Sequence, residues 1–441
     1  MFFYNVRIAW KSLRRSPALS LLLLVAIALG TGVATTFAAV RHGFAKNPIP
    51  EKSAVLRYVR MDSWDPLAGY PSDKPAPPPQ MNYQDVTNIA RSTIPVRQSP
   101  MMKARVSIYP DQASGVRPFQ ELTRLCYGDF FAMFNAPFRF GGAWTKAQDE
   151  KGEQVVVLGE ALNEKLFGGA DSTGKVVRIE DRDFRVAGVL GRWAPGVKFY
   201  DLTQNPVEPV EELYMPFQMM PAMQLQTAGN TDGWKPNETP GFEGLLRGES
   251  VFLQMWVELP SPAAEADYRA FLDAYAMDQR KHGRFLRPLD NRVTSPPDLL
   301  VELNAVPKEA SAMMIVSLLF LSVCCVNLVG ILLGKFLARA PEIGVRRALG
   351  ASRLDVFLQH ITECEVLGVA GGLAGLALAQ VGIVIMNGYM RTTVNRGDLF
   401  HLDAQMMLFS AALALLSGLA AGAYPAYRVC RVAPAAHLRT V

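Results

Sequence analysis

Residues 169–176, which read GADSTGKV, come close to the pattern of a phosphate-binding P-loop. In a P-loop, backbone N–H groups of a glycine-rich turn surround the phosphates, and a Ser or Thr after the lysine binds Mg²⁺. Here Val176 follows Lys175, and the pattern follows a predicted helix and opens a predicted strand, which reverses the P-loop order. The sequence therefore predicts no nucleotide site here, and it predicts that the chain carries no ATPase of its own.

Other residue types that carry chemistry are scattered along the chain. There is no Ser nucleophile elbow and no HExxH pattern. The acids Asp181, Asp183, Glu211 and Glu212 are interpreted as solvated turn or surface charges. We predict no catalytic residue and no metal site. The five histidines lack the spacing of metal ligands: His42, His282, His360, His401 and His437.

Four apolar stretches are long enough to cross a hydrocarbon core of about 30 Å. We predict transmembrane helices over residues 17–40, 310–334, 366–390 and 405–424. The first stretch follows basic residues, as the core of a cleaved signal peptide does, but it exceeds the usual length of about 7–15 residues. A retained span is therefore favoured. The predicted fold class is an α-helical membrane protein with four transmembrane helices and a large α+β domain between the first and second.

Residues 41–308 change to short mixed segments rich in proline, which predicts a soluble domain outside the cytoplasm. Because it exceeds the typical domain length of about 100–150 residues, we predict two subdomains. Residues 154–190 read as a strand, a helix and two strands. The methionine-rich run 214–223, YMPFQMMPAM, has two interpretations. It forms an adaptable apolar surface for a hydrophobic cargo or partner, or it packs under long loops.

Basic residues concentrate beside the spans, and the positive-inside rule places such segments in the cytoplasm. We predict a cytoplasmic amphipathic helix over 1–16 at the lipid headgroups, a cytoplasmic link over 335–365 and a cytoplasmic tail over 425–441. Residues 391–404 are predicted to form a short periplasmic loop. The soluble domain shows no basic patch, so no nucleic-acid partner is predicted.

Residues 335–375 read KFLARAPEIGVRRALGASRLDVFLQHITECEVLGVAGGLAG and join two predicted spans through a basic, helix-prone link. The elements EIG, RRALGA and Glu363 before a glycine-rich span resemble the signature of bacterial ABC-transporter permeases of the MacB and FtsX type. The segments KSLRRSPALSLLLLVAIALG and AGAYPAYRVCRVAPAAHLR are similar to the family's first span and closing segment. DFFAMFNAPFRFGGAW with residues 154–190 resembles the periplasmic domain of MacB-type members.

The resemblance implies a protein of the bacterial inner membrane whose link contacts a cytoplasmic ABC ATPase dimer. ATP and Mg²⁺ would be bound by that partner, with no cofactor in this chain. A second permease chain, the same or related, is implied, as is a periplasmic adaptor or outer-membrane channel. The implied function is export of a peptide, lipopeptide, drug or lipoprotein. The alternative is a regulator that activates a periplasmic hydrolase or signalling partner. The ATPase-contact residues are predicted to be Glu342, Ile343, Gly344, Arg346, Arg347, Gly350, Ala351 and Arg353.

Small residues recur in the last two predicted spans and let helices approach closely. Tight packing within one subunit and a dimer interface explain them equally well. For Glu363 and Glu365, at the cytoplasmic mouth of the third span, stabilisation of the helix start by their charges and a functional role explain the sequence equally well. The predicted packing glycines are Gly368, Gly371, Gly372, Gly375, Gly418 and Gly422.

Overall fold

The structure is a computed structural model that describes residues 7–8, 16–72, 75–111, 115–203, 207–394 and 398–431. Most of the predicted N-terminal amphipathic helix over 1–16, and residues 432–441 of the predicted tail, lie outside the described residues. The chain divides into two units. Residues up to Phe44 and from Val306 form the membrane unit, and residues Ala45 to Ala305 form the α+β unit.

The described residues form helices and strands in an order that separates the units. The helices are α1 (Pro17–Ala45), α2 (Tyr83–Ile89), α3 (Asp129–Met133), α4 (Lys146–Lys151), α5 (Glu160–Phe167), α6 (Met219–Met223), α7 (Gly241–Arg247), α8 (Pro262–Lys281), α9 (Pro296–Glu302), α10 (Lys308–Leu337), α11 (Ala340–Ala348), α12 (Arg353–Val394) and α13 (Ala404–Cys430). The strands are β1 (Leu56–Arg60), β2 (Arg97–Tyr109), β3 (Phe119–Cys126), β4 (Phe138–Gly141), β5 (Val155–Leu158), β6 (Val176–Ile179), β7 (Arg182–Leu190), β8 (Leu213–Pro216), β9 (Gln254–Glu258) and β10 (Arg292–Thr294).

Within its described residues, the membrane unit contains four helices that are long and apolar enough to span a bilayer: α1, α10, α12 and α13. Helix α13 packs along both α12 and α10. Helix α12 has 42 residues and starts at Arg353, well before the predicted span that begins at 366. Residues 353–365 at its start belong to the predicted link and include the charged residues Arg353, Asp355, Glu363 and Glu365.

The α+β unit is built on a single ten-stranded sheet in the order β10-β1-β9-β2-β3-β8-β5-β7-β4, with β6 paired to β2 and β7. Strands β3 and β8 run parallel, as do β5 and β7, and the other pairs are antiparallel. One buried core, which includes Val59, Leu125, Val186, Leu253 and Leu272, extends across the unit. The division into two subdomains stays a prediction.

The segment predicted as strand, helix and two strands forms β5, α5, β6 and β7. All four residues of β5 are buried, as its unbroken apolar pattern predicts for a central strand. Helix α5 ends at Gly168, which has φ +64°, a left-handed conformation that glycine adopts without strain.

Candidate coupling surface

The link between α10 and α12 consists of the short helix α11 and the tight turn that follows it. Helix α11 has Pro341 in its first turn, where no backbone N–H is needed. After α11 the chain reverses at Gly350, whose φ of +105° would strain any residue with a side chain. Ser352 and Asp355 then cap α12 reciprocally, because the Asp355 N–H donates to Ser352 Oγ at 3.1 Å and the Ser352 N–H donates to Asp355 Oδ2 at 3.1 Å. The link therefore has a defined shape.

The inner face of α11 packs on the membrane unit. Ile343 lies in a buried cluster with Phe336, Val356 and Val429, and Gly344 is also buried. Two of the predicted ATPase-contact residues therefore face the chain's own helices, and any role they have in docking is indirect.

Arg346 and Arg347 are half-buried and bonded within the chain. Arg346 donates to Gln359 Oε1 at 3.1 Å and to Glu342 Oε1 at 3.0 Å. Arg347 donates to the Cys430 carbonyl at 3.2 Å, near the end of α13. Because the guanidinium has several donors in a fixed plane, each arginine joins α11 to a second helix.

A buried ion pair closes the base of the link. Lys335 Nζ lies 2.6 Å from Glu363 Oε1, with both side chains almost fully buried. Arg339 lies 3.7 Å from the other carboxylate oxygen. The interpretation of Glu363 as a helix-start charge is wrong, because α12 begins ten residues earlier and the carboxylate pairs across helices. The pair was missed because a charge partner 28 residues away leaves no periodic signal.

The link exposes three large apolar side chains. Val345, Leu349 and Leu354 are 48%, 83% and 63% exposed, and Glu342 and Arg353 are exposed beside them. We call these five residues the coupling surface. Sequence reasoning named the two charges but missed the three apolar residues, although Val345 and Leu349 are four apart on a short helix and signal one face. Gly350 is exposed and Ala351 half-buried at its edge.

The six predicted packing glycines lie against other helices of the same chain. Side-chain atoms added at Gly371 would come 2.8 Å from Ile27 Cβ on α1, and at Gly422 2.5 Å from Cys364 Sγ on α12. Gly375 approaches Thr31, Gly368 and Gly372 approach Ala414, and Gly418 approaches Glu365. These close approaches lie within one subunit, and a role of the same glycines in a dimer interface stays a prediction.

The fold of the α+β unit explains two other sequence patterns, the near-P-loop turn and the methionine-rich run. The near-P-loop turn follows α5 and opens β6, as expected, and Lys175 Nζ lies 4.9 Å from the centre of the Phe167 ring. The methionine-rich run forms β8 and α6, where Tyr214, Met215 and Met220 are fully buried. The packing interpretation of that run is therefore correct, and the cargo-surface interpretation is wrong for these residues.

The α+β unit also contains buried charges that the sequence did not indicate. Arg124 lies 2.5 Å from Glu211 Oε1 and 2.6 Å from Asp201 Oδ2, and Lys198 lies 2.6 Å from Glu211. Burial alone would raise the pKa of Glu211, but the charges of Arg124 and Lys198 outweigh it and hold that pKa far below its usual range. The interpretation of Glu211 as a solvated charge is wrong. Glu212 instead accepts the Ala161 N–H at 3.0 Å at the start of α5.

The carboxyl group of Asp149 in this unit is buried, and its described hydrogen bonds come from no basic residue. Asp149 accepts hydrogen bonds from the Gly128 N–H at 2.8 Å and from Trp144 Nε1 at 2.5 Å. Burial raises the pKa of Asp149 to about 7, and the two hydrogen bonds only partly oppose that effect. Its protonation therefore changes near neutral pH.

Four long apolar helices, with an α+β domain inserted between the first and second, define a multispan membrane protein with a large extracytoplasmic domain. The family models identify it further. Residues 20–275, more than half of the chain, match the MacB-like periplasmic core domain, and residues 314–434 match the FtsX-like permease C-terminal domain. The chain belongs to the MacB/FtsX family of ABC-transporter permeases, as the resemblance predicted.

Two proteins to which the chain is similar are named as export proteins. The chain is 24% identical over 442 residues to the pyoverdine export ATP-binding/permease protein PvdT of Pseudomonas aeruginosa, covering 98% of this chain and 58% of that protein. It is 24% identical over 306 residues to the macrolide export ATP-binding/permease protein MacB of Bdellovibrio bacteriovorus, covering 68% and 41%. The chain thus covers 58% of the length of this PvdT and 41% of the length of this MacB. The periplasmic region of MacB from Actinobacillus actinomycetemcomitans aligns at 14% identity with a TM-score of 0.35, over 59% of this chain and 98% of that region.

Proposed function

We propose that this chain is the permease subunit of an ABC-type export system, and that it transmits ATP-driven motion of a separate cytoplasmic ATPase to its extracytoplasmic domain. The observation that carries the proposal is the coupling surface, where three large apolar side chains and the charged residues Glu342 and Arg353 lie exposed on the link. Exposed apolar patches with a polar rim are typical of protein contact sites. ATP and Mg²⁺ would bind in the partner ATPase.

The charge pattern supports a cytoplasmic position for the link. Lys335, Arg339, Arg346, Arg347 and Arg353 lie in or beside it, against few acids. By the positive-inside rule, the link and both termini face the cytoplasm and the α+β unit faces the periplasm. An ATPase that carries the export energy would therefore meet the chain at the coupling surface.

The bonds behind the coupling surface suit it to carry force. Helix α11 is bonded to α12 through Arg346 and to α13 through Arg347, and α10 is bonded to α12 through the buried Lys335–Glu363 pair. A force applied at Leu349 would be transmitted to three helices instead of only deforming a flexible loop. This bracing favours transmission of motion over a purely topological role for the basic residues.

Export is favoured over envelope regulation because PvdT and MacB, to which the chain is similar, are named as exporters. The proposed cargo class is a peptide, lipopeptide, drug or lipoprotein. The proposed assembly contains an ATPase dimer and a second permease chain, with a periplasmic adaptor or outer-membrane channel as a further partner. A regulator would instead act on a periplasmic hydrolase or signalling partner.

The test is co-purification of the ATPase with the variant Leu349→Asp. Burying a leucine contributes about 1.5–3 kcal/mol, and burying an unpaired charge opposes binding further, so we expect ATPase recovery to fall about tenfold or more. Leu67→Asp is the matched control, since Leu67 is 96% exposed but lies in the α+β unit. Recovery of the ATPase with Leu349→Asp at the control level, or recovery of no ATPase with the unmodified chain, would contradict the proposal.

A further inference from the structure

The segment 398–403 and Asn387 join the ends of three membrane helices at the side of the unit opposite the link. We infer that Asn387 and Phe400 are positioning residues that fasten α12 and α13 to the end of α1, so that motion of the link reaches the extracytoplasmic domain. We call His42, Asn387, Phe400 and Asp403 the loop clamp. The inference deepens the proposed function and rests on it for its mechanical role, whereas the clamp itself is a structural claim.

Asn387 uses both ends of its amide to hold the segment. It is buried near the end of α12, where its Oδ1 accepts the Leu399 N–H at 3.2 Å and the Phe400 N–H at 3.0 Å, and its Nδ2 donates to the Phe400 carbonyl at 2.9 Å. Backbone groups that lie in an apolar environment need such partners. An apolar residue at position 387 would leave those groups unpaired, so the position of the segment depends on this amide.

Phe400 connects the segment to α1. Its side chain is fully buried, and its ring meets Phe44 edge to face, with centroids 5.5 Å apart. The ring also lies against Gly43, where a Cβ atom would come 2.8 Å from Phe400 Cδ1. Gly43 therefore lets the ring approach the helix backbone, and the contact depends on the absence of a side chain there.

Asp403 completes the connection from the start of α13. Its Oδ1 accepts the Met406 N–H at 3.0 Å and caps the helix, while its Oδ2 lies 3.1 Å from His42 Nε2 on α1. One carboxylate thus contacts both the first turn of α13 and the last turns of α1. Together with Phe400, it gives α1 two separate attachments to the segment.

The clamp provides a route from α12 to the α+β unit in addition to α10, which joins the link to that unit along the chain. Helix α12 carries the link at its start and Asn387 near its end, so a helix of 42 residues, about 63 Å long, connects the two sites. Helix α1 runs directly into the α+β unit along the chain, because that unit begins at Ala45. A displacement of α12 therefore reaches the α+β unit through the clamp and α1.

The structural test uses the full chain in membranes, with its native cysteines replaced and cysteines placed at His42 and Asp403. A short bis-maleimide should join them quickly, and Asn387→Leu should slow that cross-linking about tenfold or more, since buried polar groups lose their hydrogen bonds. Gln380→Leu is the matched control, because Gln380 is an exposed amide on the same helix. Cross-linking at the control rate in Asn387→Leu overturns the inference.

Folding is checked with a second cysteine pair. This pair keeps the native Cys325 on α10 and adds Ser417→Cys on α13, at two positions that share a hydrogen bond in the unmodified chain. The two cysteines should still cross-link in Asn387→Leu. If this pair fails to cross-link, Phe400→Ala is used in place of Asn387→Leu. Phe400→Ala keeps the hydrogen bonds between the Asn387 side chain and the backbone, and it removes only the contact of the Phe400 ring with α1. Loss of the clamp cross-link with the second pair intact supports the inference, and retention of both overturns it.

The functional test uses the complex of the chain with its ATPase. A fluorescent dye is attached to a cysteine introduced by Val176→Cys, at an exposed position in the α+β unit. Asn387→Leu should keep ATPase co-purification and ATP turnover but lose the ATP-dependent dye response of the unmodified complex. A retained response, with the clamp cross-link lost, overturns the positioning role while the proposed function stands. Failure of the unmodified chain to bind an ATPase defeats the proposed function, and with it the mechanical role, whatever the cross-links show.

Discussion

The buried pair at the base of the link supports a quantitative prediction. Lys335→Met leaves the Glu363 carboxylate almost fully buried, with Arg339 3.7 Å from its second oxygen. Removing one member of a buried pair costs about 3–5 kcal/mol, because the other charge stays buried and loses its nearest counter-charge. We expect Lys335→Met and Glu363→Met each to lower the free energy of unfolding by that amount.

The double variant distinguishes a coupled pair from two independent charges. With both charges removed, no uncompensated charge remains at this site, and the half-buried Arg339 can extend its head toward the lipid headgroups. The double variant should therefore cost less than either single variant. Equilibrium unfolding of the full chain in mixed micelles, followed by circular dichroism, measures all three.

A matched control comes from the link itself. Glu342 and Arg346 form an exposed pair four residues apart, so Glu342→Gln should cost no more than about 0.5 kcal/mol. The reasoning is refuted if the effects of Lys335→Met and Glu363→Met add to within about 0.5 kcal/mol in the double variant, since additivity shows independent sites.

Three further predictions concern the α+β unit and the topology. Burial raises the pKa of Asp149 to about 7 from an unfolded value of about 3.9, so the native state binds the extra proton. Unfolding free energy should therefore fall as pH rises from about 4 to 7, and thermal unfolding of Asp149→Asn should lack this component; an unchanged pH profile contradicts it. Glu211→Gln leaves the buried arginine and lysine it binds undercompensated, so a loss of about 3–5 kcal/mol is expected on chemical unfolding, and a loss under about 1 kcal/mol contradicts the burial. Single cysteines at the exposed residues Asp171 and Thr392 should react with an impermeant thiol reagent in intact cells, while one at Ser352 should not; the reverse pattern would invert the topology.

The sequence predicted the features that local pattern encodes. Apolar length located the four spans, and unbroken or alternating apolar runs located β5 and β7. The turn after α11 is likewise local, because Gly350 adopts a φ of +105° that a glycine permits. Each of these features depends on residues close together along the chain.

The sequence could not predict partners that are distant along the chain. Arg347 meets a carbonyl at residue 430, and Glu363 meets Lys335, and no spacing rule connects such positions. Arg346 and Arg347 were therefore predicted as ATPase contacts, although each also bonds to a neighbouring helix of the chain. The exposed position of Leu349 follows only once those inward contacts fix the rotation of α11.

The most direct test of the central claim places a photoactivatable amino acid at Leu349 of the full chain in native membranes. Mass spectrometry of the cross-linked product should identify a polypeptide that contains a P-loop followed by Ser or Thr, the signature of the ATPase. The same residue introduced at Leu67 should give no such product. Cross-linking of Leu349 to lipid alone, or equal capture of the ATPase from both positions, would contradict the assignment of the link as the ATPase contact.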